Sequence, residues 1–299
     1  MRRSNSVLLG FIVATLLCMP RVLPSEEIKP LVGINLYGGA ERDASYFFKD
    51  GLATPHGFGG TQLFGVAPLG SNFGFQGSLG WEGGSDIFRT LVSGGPIYNY
   101  SSGKFGLFVD YEYKLTPLAH VGNGLGFLRD HDGTRNHFVF LRGVWTHYFD
   151  SFDFLLSYTQ PVSSVQNSSA LQFINGRNPP CVPKKDLVIN ELKAILRFYP
   201  TRDAEVHGGV LVNSFAGPTY HDSGTGVGGA FGASYRLFGP VVLNLVQGQF
   251  DSRSRYRVTS GVQFFWSPSE SQKPMREAVT LANFNAGAEG TAATSGSCS

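Results

Sequence analysis

The sequence predicts an all-β chain folded as a transmembrane antiparallel β-barrel of about 12 strands, with about 10 or 14 as the neighbouring counts. Three observations predict it. Apolar and polar residues alternate with a period of two, the alternating segments are long, and the links between them sort by length.

Residues 104–115 alternate most clearly. Phe105, Leu107, Val109, Tyr111, Tyr113 and Leu115 fall on one face, and Lys104, Asp110, Glu112 and Lys114 on the other. Successive strand side chains point to opposite faces, so this is one apolar wall backed by one charged wall. In 73–82, Phe73, Phe75, Leu79 and Trp81 alternate with Gly74, Gln76, Ser78, Gly80 and Glu82. Near the end, Tyr256, Val258, Val262, Phe264 and Trp266 alternate with Arg255, Arg257, Thr259, Gly261 and Gln263. A soluble sandwich also alternates, but its strands average about 5–6 residues. Several segments here reach roughly 10–13, and spanning strands need about 9–11. The apolar faces begin or end in Tyr, Trp or Phe, as interfacial girdles do.

The candidate strands are 31–38, 61–68, 72–82, 86–93, 104–115, 137–149, 152–160, 187–199, 205–214, 226–237, 240–250 and 255–266. Links after even strands are mostly tight: 68–71, 150–151, 200–204 and 238–239. Links after odd strands include the long ones: 39–60, 116–136, 161–186 and 215–225. The links at 83–85, 94–103 and 251–254 fit less well. Spanning barrels have short turns on one side and long loops on the other, which a sandwich has no reason to imitate.

Across 31–266 this pattern resembles the bacterial outer-membrane β-barrel class. The resemblance is architectural. It implies an outer-membrane location, a lipid bilayer as the main partner, long loops outside and both termini in the periplasm. The final strand, ending Val262, Phe264, Phe265 and Trp266, looks like the aromatic assembly signal of such barrels, although residues 267–299 follow it.

Composition agrees. Of the 299 residues, 42% are hydrophobic and 13% aromatic, which excludes a disordered chain. A net charge of +2 leaves no electrostatic footprint for nucleic acid. Arg2 and Arg3, the apolar run Val7 to Leu17, then Pro20, Pro24 and Ser25 have the order of a secretory signal. The expected organisation is a signal peptide over 1–25, a barrel over 26–266 and a flexible Ser/Ala/Gly/Thr-rich tail over 267–299, with room for a short helix around Met275 to Phe284. Cys18 lacks the residues that precede a lipidated Cys. Cys181 and Cys298 do not make a disulfide framework, and the seven His have no metal-ligand spacing. No cofactor is expected.

The candidate site is the charged interior. Lys104, Asp110, Glu112 and Lys114 share one strand face, Glu191, Lys193 and Arg197 another, and Arg236, Arg255 and Arg257 also oppose apolar faces. These residues line a pore as rings of charge, or they pair and fill the barrel. Eight strands are filled by side chains and about 16–18 leave an aqueous channel, so about 12 permits either.

A second candidate is His221-Asp222-Ser223. With Ser157-Tyr158-Thr159-Gln160 it resembles outer-membrane phospholipase A, which implies a serine activated by an imidazole. The chain departs from that family: Gly224 and Thr225 follow Ser223 where the family has Asn and Gly, the Gln160-to-His221 spacing is longer, and His221 lies in an expected loop. A polar turn is the preferred reading. The Pro- and Lys-containing stretch 161–186 reads as an external loop. Tyr46, Phe47 and Phe48 make the 40–58 link unusually aromatic, suited to packing across the barrel mouth. Gly226, Gly228 and Gly232 fall on the lumen side and form no phosphate loop. The expected function is a non-enzymatic barrel serving as a narrow porin-like channel for small polar solutes. The alternatives are a structural or surface-binding barrel with a plugged lumen and, behind it, a lipid hydrolase.

Overall fold

The computed structural model describes residues 28–42, 56–84, 88–116, 134–149, 152–167, 185–216, 224–251, 256–266 and 292–295. Among them run β1 (Leu31–Arg42), β2 (His56–Pro68), β3 (Phe73–Gly84), β4 (Phe88–Tyr100), β5 (Gly103–Thr116) and β6 (Thr134–Tyr148). There follow β7 (Phe152–Asn167), β8 (Lys185–Thr201), β9 (Ala204–Ala216), β10 (Gly224–Phe238), β11 (Val241–Asp251), β12 (Tyr256–Trp266) and the short β13 (Ala292–Ser295). Each of the first 12 pairs antiparallel with its sequence neighbours, and β1 pairs with β12, so the ring closes. The closing register runs from Val32 opposite Trp266 to Arg42 opposite Tyr256. The fold is a 12-stranded antiparallel barrel.

The strands are longer than the alternation alone suggested, and two prolines explain part of the difference. Gly94-Gly95-Pro96 reads as a break, yet β4 continues through it. Pairing with β5 passes from Gly94–Val109 to Ile97–Gly106, so the missing Pro96 donor falls where the ladder is interrupted. Pro161 sits opposite Phe140 at a register shift, and β7 runs on to Asn167. The expected 94–103 link thus shrinks to Ser101 and Ser102. After β6 the Phe149 N–H bonds to the Phe152 carbonyl at 2.9 Å, and the links after even strands that lie among the described residues are tight turns: 69–72, 101–102, 202–203 and 239–240. At the last of these Gly239 has φ +42°, a left-handed backbone that a side chain strains.

Alternation sorts the two faces. Val109, Val210, Val227, Leu245 and Leu196 point outward and are exposed, a surface suited to lipid rather than water. Rings gather toward the turn end on this outer face: Phe149 stacks on Phe152 at 4.5 Å, and Trp145 meets Phe154 edge-on at 5.9 Å. Toward the loop end, Tyr113 lies between Phe88 and His137, and the Tyr111 hydroxyl is 2.7 Å from His137 Nδ1. These are the two interfacial girdles of a spanning barrel.

The interior is layered. At the turn end, inward-facing Leu31, Phe64, Val66, Ile97, Phe108, Val144, Leu155, Val242 and Phe265 form one buried cluster with Ile28, whose N–H bonds to the Ser71 carbonyl at 2.9 Å. Glycine makes the packing feasible: a Cβ on Gly33 would lie 2.2 Å from the Phe64 ring. The Glu82–Arg89–Arg257 cluster and the amides of β1, β2 and β12 lie above this apolar layer, whereas Asn99, Asp153, Arg197, Glu205 and Arg236 lie beside it at the turn end.

β13 was not expected. Ala292–Ser295 pairs with Lys185–Val188 at the loop end of β8, opposite the end where Trp266 leaves the ring. The sequence reading gave this part of the tail no strand. Pairing of β7 with β8 stops at Thr159–Glu191, which leaves that edge of β8 available, and free edges recruit strands. The signal segment, Cys18, Cys181, Cys298, Tyr46 to Phe48, the 275–284 stretch and His221 to Ser223 lie outside the described residues.

Val109→Arg and Val210→Arg each place a charge mid-wall on the outer face, at a cost of about 2–4 kcal/mol against lipid. Both should reduce the heat-modifiable folded band on a denaturing gel, and inward Ser157→Ala should leave it unchanged. Full assembly of both arginine variants would refute the assignment of faces.

Candidate functional site: the charged interior

The largest cluster gathers on the wall from β12 through β5. Glu41 (β1), Glu82 (β3), Arg89 (β4), Glu112 (β5) and Arg257 (β12) all face inward and are buried. Arg89 reaches Glu82 at 2.8 Å, Glu41 at 3.2 Å and, through Nε, Glu112 at 2.8 Å. Arg257 pairs with Glu41 at 2.7 Å and also with Glu82. The Tyr37 hydroxyl donates to Glu82 at 2.8 Å, and the Arg257 guanidinium lies 4.1 Å from the Phe58 ring centroid. β12 and β3 are separated by β1 and β2, and neighbouring strands are about 4.8 Å apart. Arg257 therefore reaches Glu82 by extending across β1 and β2, with its guanidinium over the Phe58 ring of β2. With Lys114 buried beside Glu112, the cluster sets three carboxylates against three cations.

Smaller clusters occupy the other wall. Arg142 grips Asp110 with two bonds, 2.6 and 3.0 Å, while its guanidinium sits 4.7 Å over Phe108. Lys193 meets Glu191 at 2.8 Å. Glu205 lies 3.8 Å from Arg197 and 3.0 Å from His207 Nδ1. Tyr199 donates to Asp153 at 2.8 Å.

A buried interior that is charged and paired, inside a closed wall that is apolar outside, inverts the usual arrangement of a water-soluble protein. The architecture is that of a closed transmembrane β-barrel. No family model and no curated protein matches the chain. Among solved structures, the chain is similar to the KdgM porin (13% identity, TM-score 0.42, covering 77% of this chain and 98% of that one). It is similar to the P. putida toluene transporter TodX (10%, 0.45, 85% and 92%). It is also similar to the translocator domain of the autotransporter NalP from Neisseria meningitidis (9%, 0.44, 88% and 95%).

Of the residues singled out from sequence, Asp110, Glu112, Lys114, Glu191, Lys193, Arg197, Arg236 and Arg257 of the barrel are buried on the inner side. Arg236 lies 5.8 Å from the Phe265 ring centroid, at the apolar layer. Lys104 is half-buried near the turn end, opposite Asn99 and Thr146. Arg255 lies outside the described residues. The structure joins Glu112 and Arg257 in one cluster through Arg89, Glu41 and Glu82. Those three linking residues were missing from the candidate set. Glu82 was legible by its phase with Gly80, whereas Glu41 lies beyond the expected end of β1. Arg142 was hidden because β6 carries Phe138, Phe140 and Val144 inward and Val139, Leu141 and Trp145 outward, so nothing alternates. Among the described residues no group of His, Cys, Asp and Glu has metal-site geometry.

Removing one member of a buried ion cluster leaves a desolvated charge behind and costs about 3–5 kcal/mol. Glu82→Gln and Arg257→Gln should each destabilise the barrel by about that amount in urea unfolding from lipid vesicles. A loss under about 1 kcal/mol in both, the range of an exposed pair, would contradict a cluster buried in the barrel.

Proposed function

We propose that this outer-membrane β-barrel is closed to passage at its turn end and acts through what it binds. The observation that supports the reading is the apolar layer of Ile28, Phe64, Ile97, Phe108, Val242, Phe265 and their neighbours, buried at the turn end of β1, β2, β4 to β7, β11 and β12. A diffusion channel needs a continuous wetted path, and an apolar constriction excludes water and ions. The charges point the same way. Rings of charge that select solutes must face the solute, and here they are spent on one another inside the walls. The plugged barrel is therefore preferred to the narrow porin-like channel that the rows of charge first suggest.

The hydrolase reading gains nothing from the described residues. Ser157 is buried on the inner face opposite Lys193, a lysine rather than a histidine. Its other elements, His221 and Ser223, rest on the sequence alone.

In planar bilayers the purified protein should give no steady conductance steps. A combined Phe64→Ala, Phe108→Ala and Phe265→Ala variant should open them. Stable steps from the unmodified protein would overturn closure. Incubated with phospholipid, the protein and its Ser223→Ala variant should show the same background release of fatty acid. Turnover lost in Ser223→Ala would restore the enzyme reading.

A further inference from the structure

Between the apolar layer and the charge cluster, the wall from β3 round to β10 is lined mainly by uncharged polar side chains. Gln62, Asn35 and Gln263 stand directly opposite one another on β2, β1 and β12. Asn244 and Gln247 on β11 and Ser234 on β10 extend the row on one side, and Ser78 on β3 on the other. The groups touch along the row. Gln247 donates to Ser234 Oγ at 3.0 Å, Ser234 donates to Asn244 at 3.1 Å, and Asn244 donates to Asn35 at 3.4 Å. Gln62 donates to Ser78 Oγ at 3.4 Å.

Two features point to a ligand. Gln263 is only 3% exposed, yet its Nε2 has no hydrogen-bond partner among the described residues. A buried amide left without a partner costs about 1–3 kcal/mol, so its survival calls for an acceptor from elsewhere. The residual space inside the barrel also lies on this side. Asn35, Tyr37, Gln62, Ala230, Gln247 and Thr259 are half-buried, whereas the inward residues of β5 to β7 from Phe108 to Thr159 are buried. The Tyr37 ring lies over Gly60, a flat apolar surface next to the amides.

We infer that this amide belt is a binding site, inside the barrel and above the apolar layer, for an uncharged hydroxyl-rich molecule such as a neutral sugar or polyol. The chemistry selects the class. Each Asn or Gln offers two donors and an acceptor, and a hydroxyl both gives and accepts, so the two match without proton transfer or charge. An anion or cation would need a free counter-charge where it is desolvated. The inner positions at this rung are Gln62, Asn35, Gln263 and Val242, and Glu82 on the next rung is held by Arg89, Arg257 and Tyr37. The site deepens the closed-barrel reading, because a molecule that reaches it is held rather than passed through.

The test is calorimetric titration of the purified full-length barrel in detergent with glycerol, maltose and maltotriose, and with trigalacturonic acid as the charged counterpart. At least one neutral probe should bind. Gln263→Leu and Asn35→Leu should each weaken that binding at least tenfold while keeping the heat-modifiable folded band. The acid should bind at least tenfold more weakly than the neutral trisaccharide. Should Gln263→Leu fail to assemble, Gln62→Leu probes the same rung. No binding by any neutral probe, unchanged affinity in the belt variants that fold, or preference for the acid would each overturn the site. Conductance measured on the same preparation reports on closure separately, so the two readings fail independently.

Discussion

Everything in this molecule depends on the bond between its first and last barrel strands. A backbone N–H or C=O turned toward hydrocarbon has no water to bond, and an open sheet would leave two whole edges in that state. Pairing of Val32 through Arg42 with Trp266 through Tyr256 removes both edges at once. Once the ring is closed, the pleat has only two places to put side chains, lipid or interior, and each residue's chemistry decides between them. The apolar exterior, the paired charges within and the turn-and-loop asymmetry all follow from closure.

Closure at 12 strands creates a second problem, the volume inside. Side chains of one wall do not reach the other wherever they are small, and the interior combines three solutions at three heights. Rings set against glycines fill the turn end, as Phe64 does over Gly33. Amides occupy the middle of one wall. Long guanidinium side chains bridge several strands above them, with Arg257 and Arg89 sharing Glu41 and Glu82. Buried ion pairs stabilise little relative to apolar packing, but they fix partners strongly, because any slip of one residue strands a charge. Closure and interior pairing thus specify the same register from opposite faces.

The class of fold was legible because alternation is a local property with a fixed period. Residues 104–115 declare it without reference to any neighbour. Strand ends were less legible. Pro96 and Pro161 look like breakers in a one-dimensional reading, and only the partner strand shows that no donor is required at those points. β6 was obscure for a different reason: its inward face packs Phe138, Phe140 and Val144 against the interior, so both faces are apolar and the period vanishes. The charged residues could be listed from sequence, but the cluster could not, since Arg257 meets Glu82 across two intervening strands. The amide belt carried no signal at all, because Gln, Asn and Ser scattered over six strands form a row only after the ring has closed.

Closure in the stated register is best tested by cross-linking the seam. In a background with Cys18, Cys181 and Cys298 changed to Ser, Leu36→Cys and Val262→Cys would stand directly opposite on β1 and β12. Mild oxidation of the membrane-inserted protein should join that pair, shifting its mobility on a non-reducing gel, while the displaced pair Leu36→Cys with Phe264→Cys should join far less. A disulfide formed preferentially in the displaced pair, or in neither, would contradict the closed ring on which this account of the barrel rests.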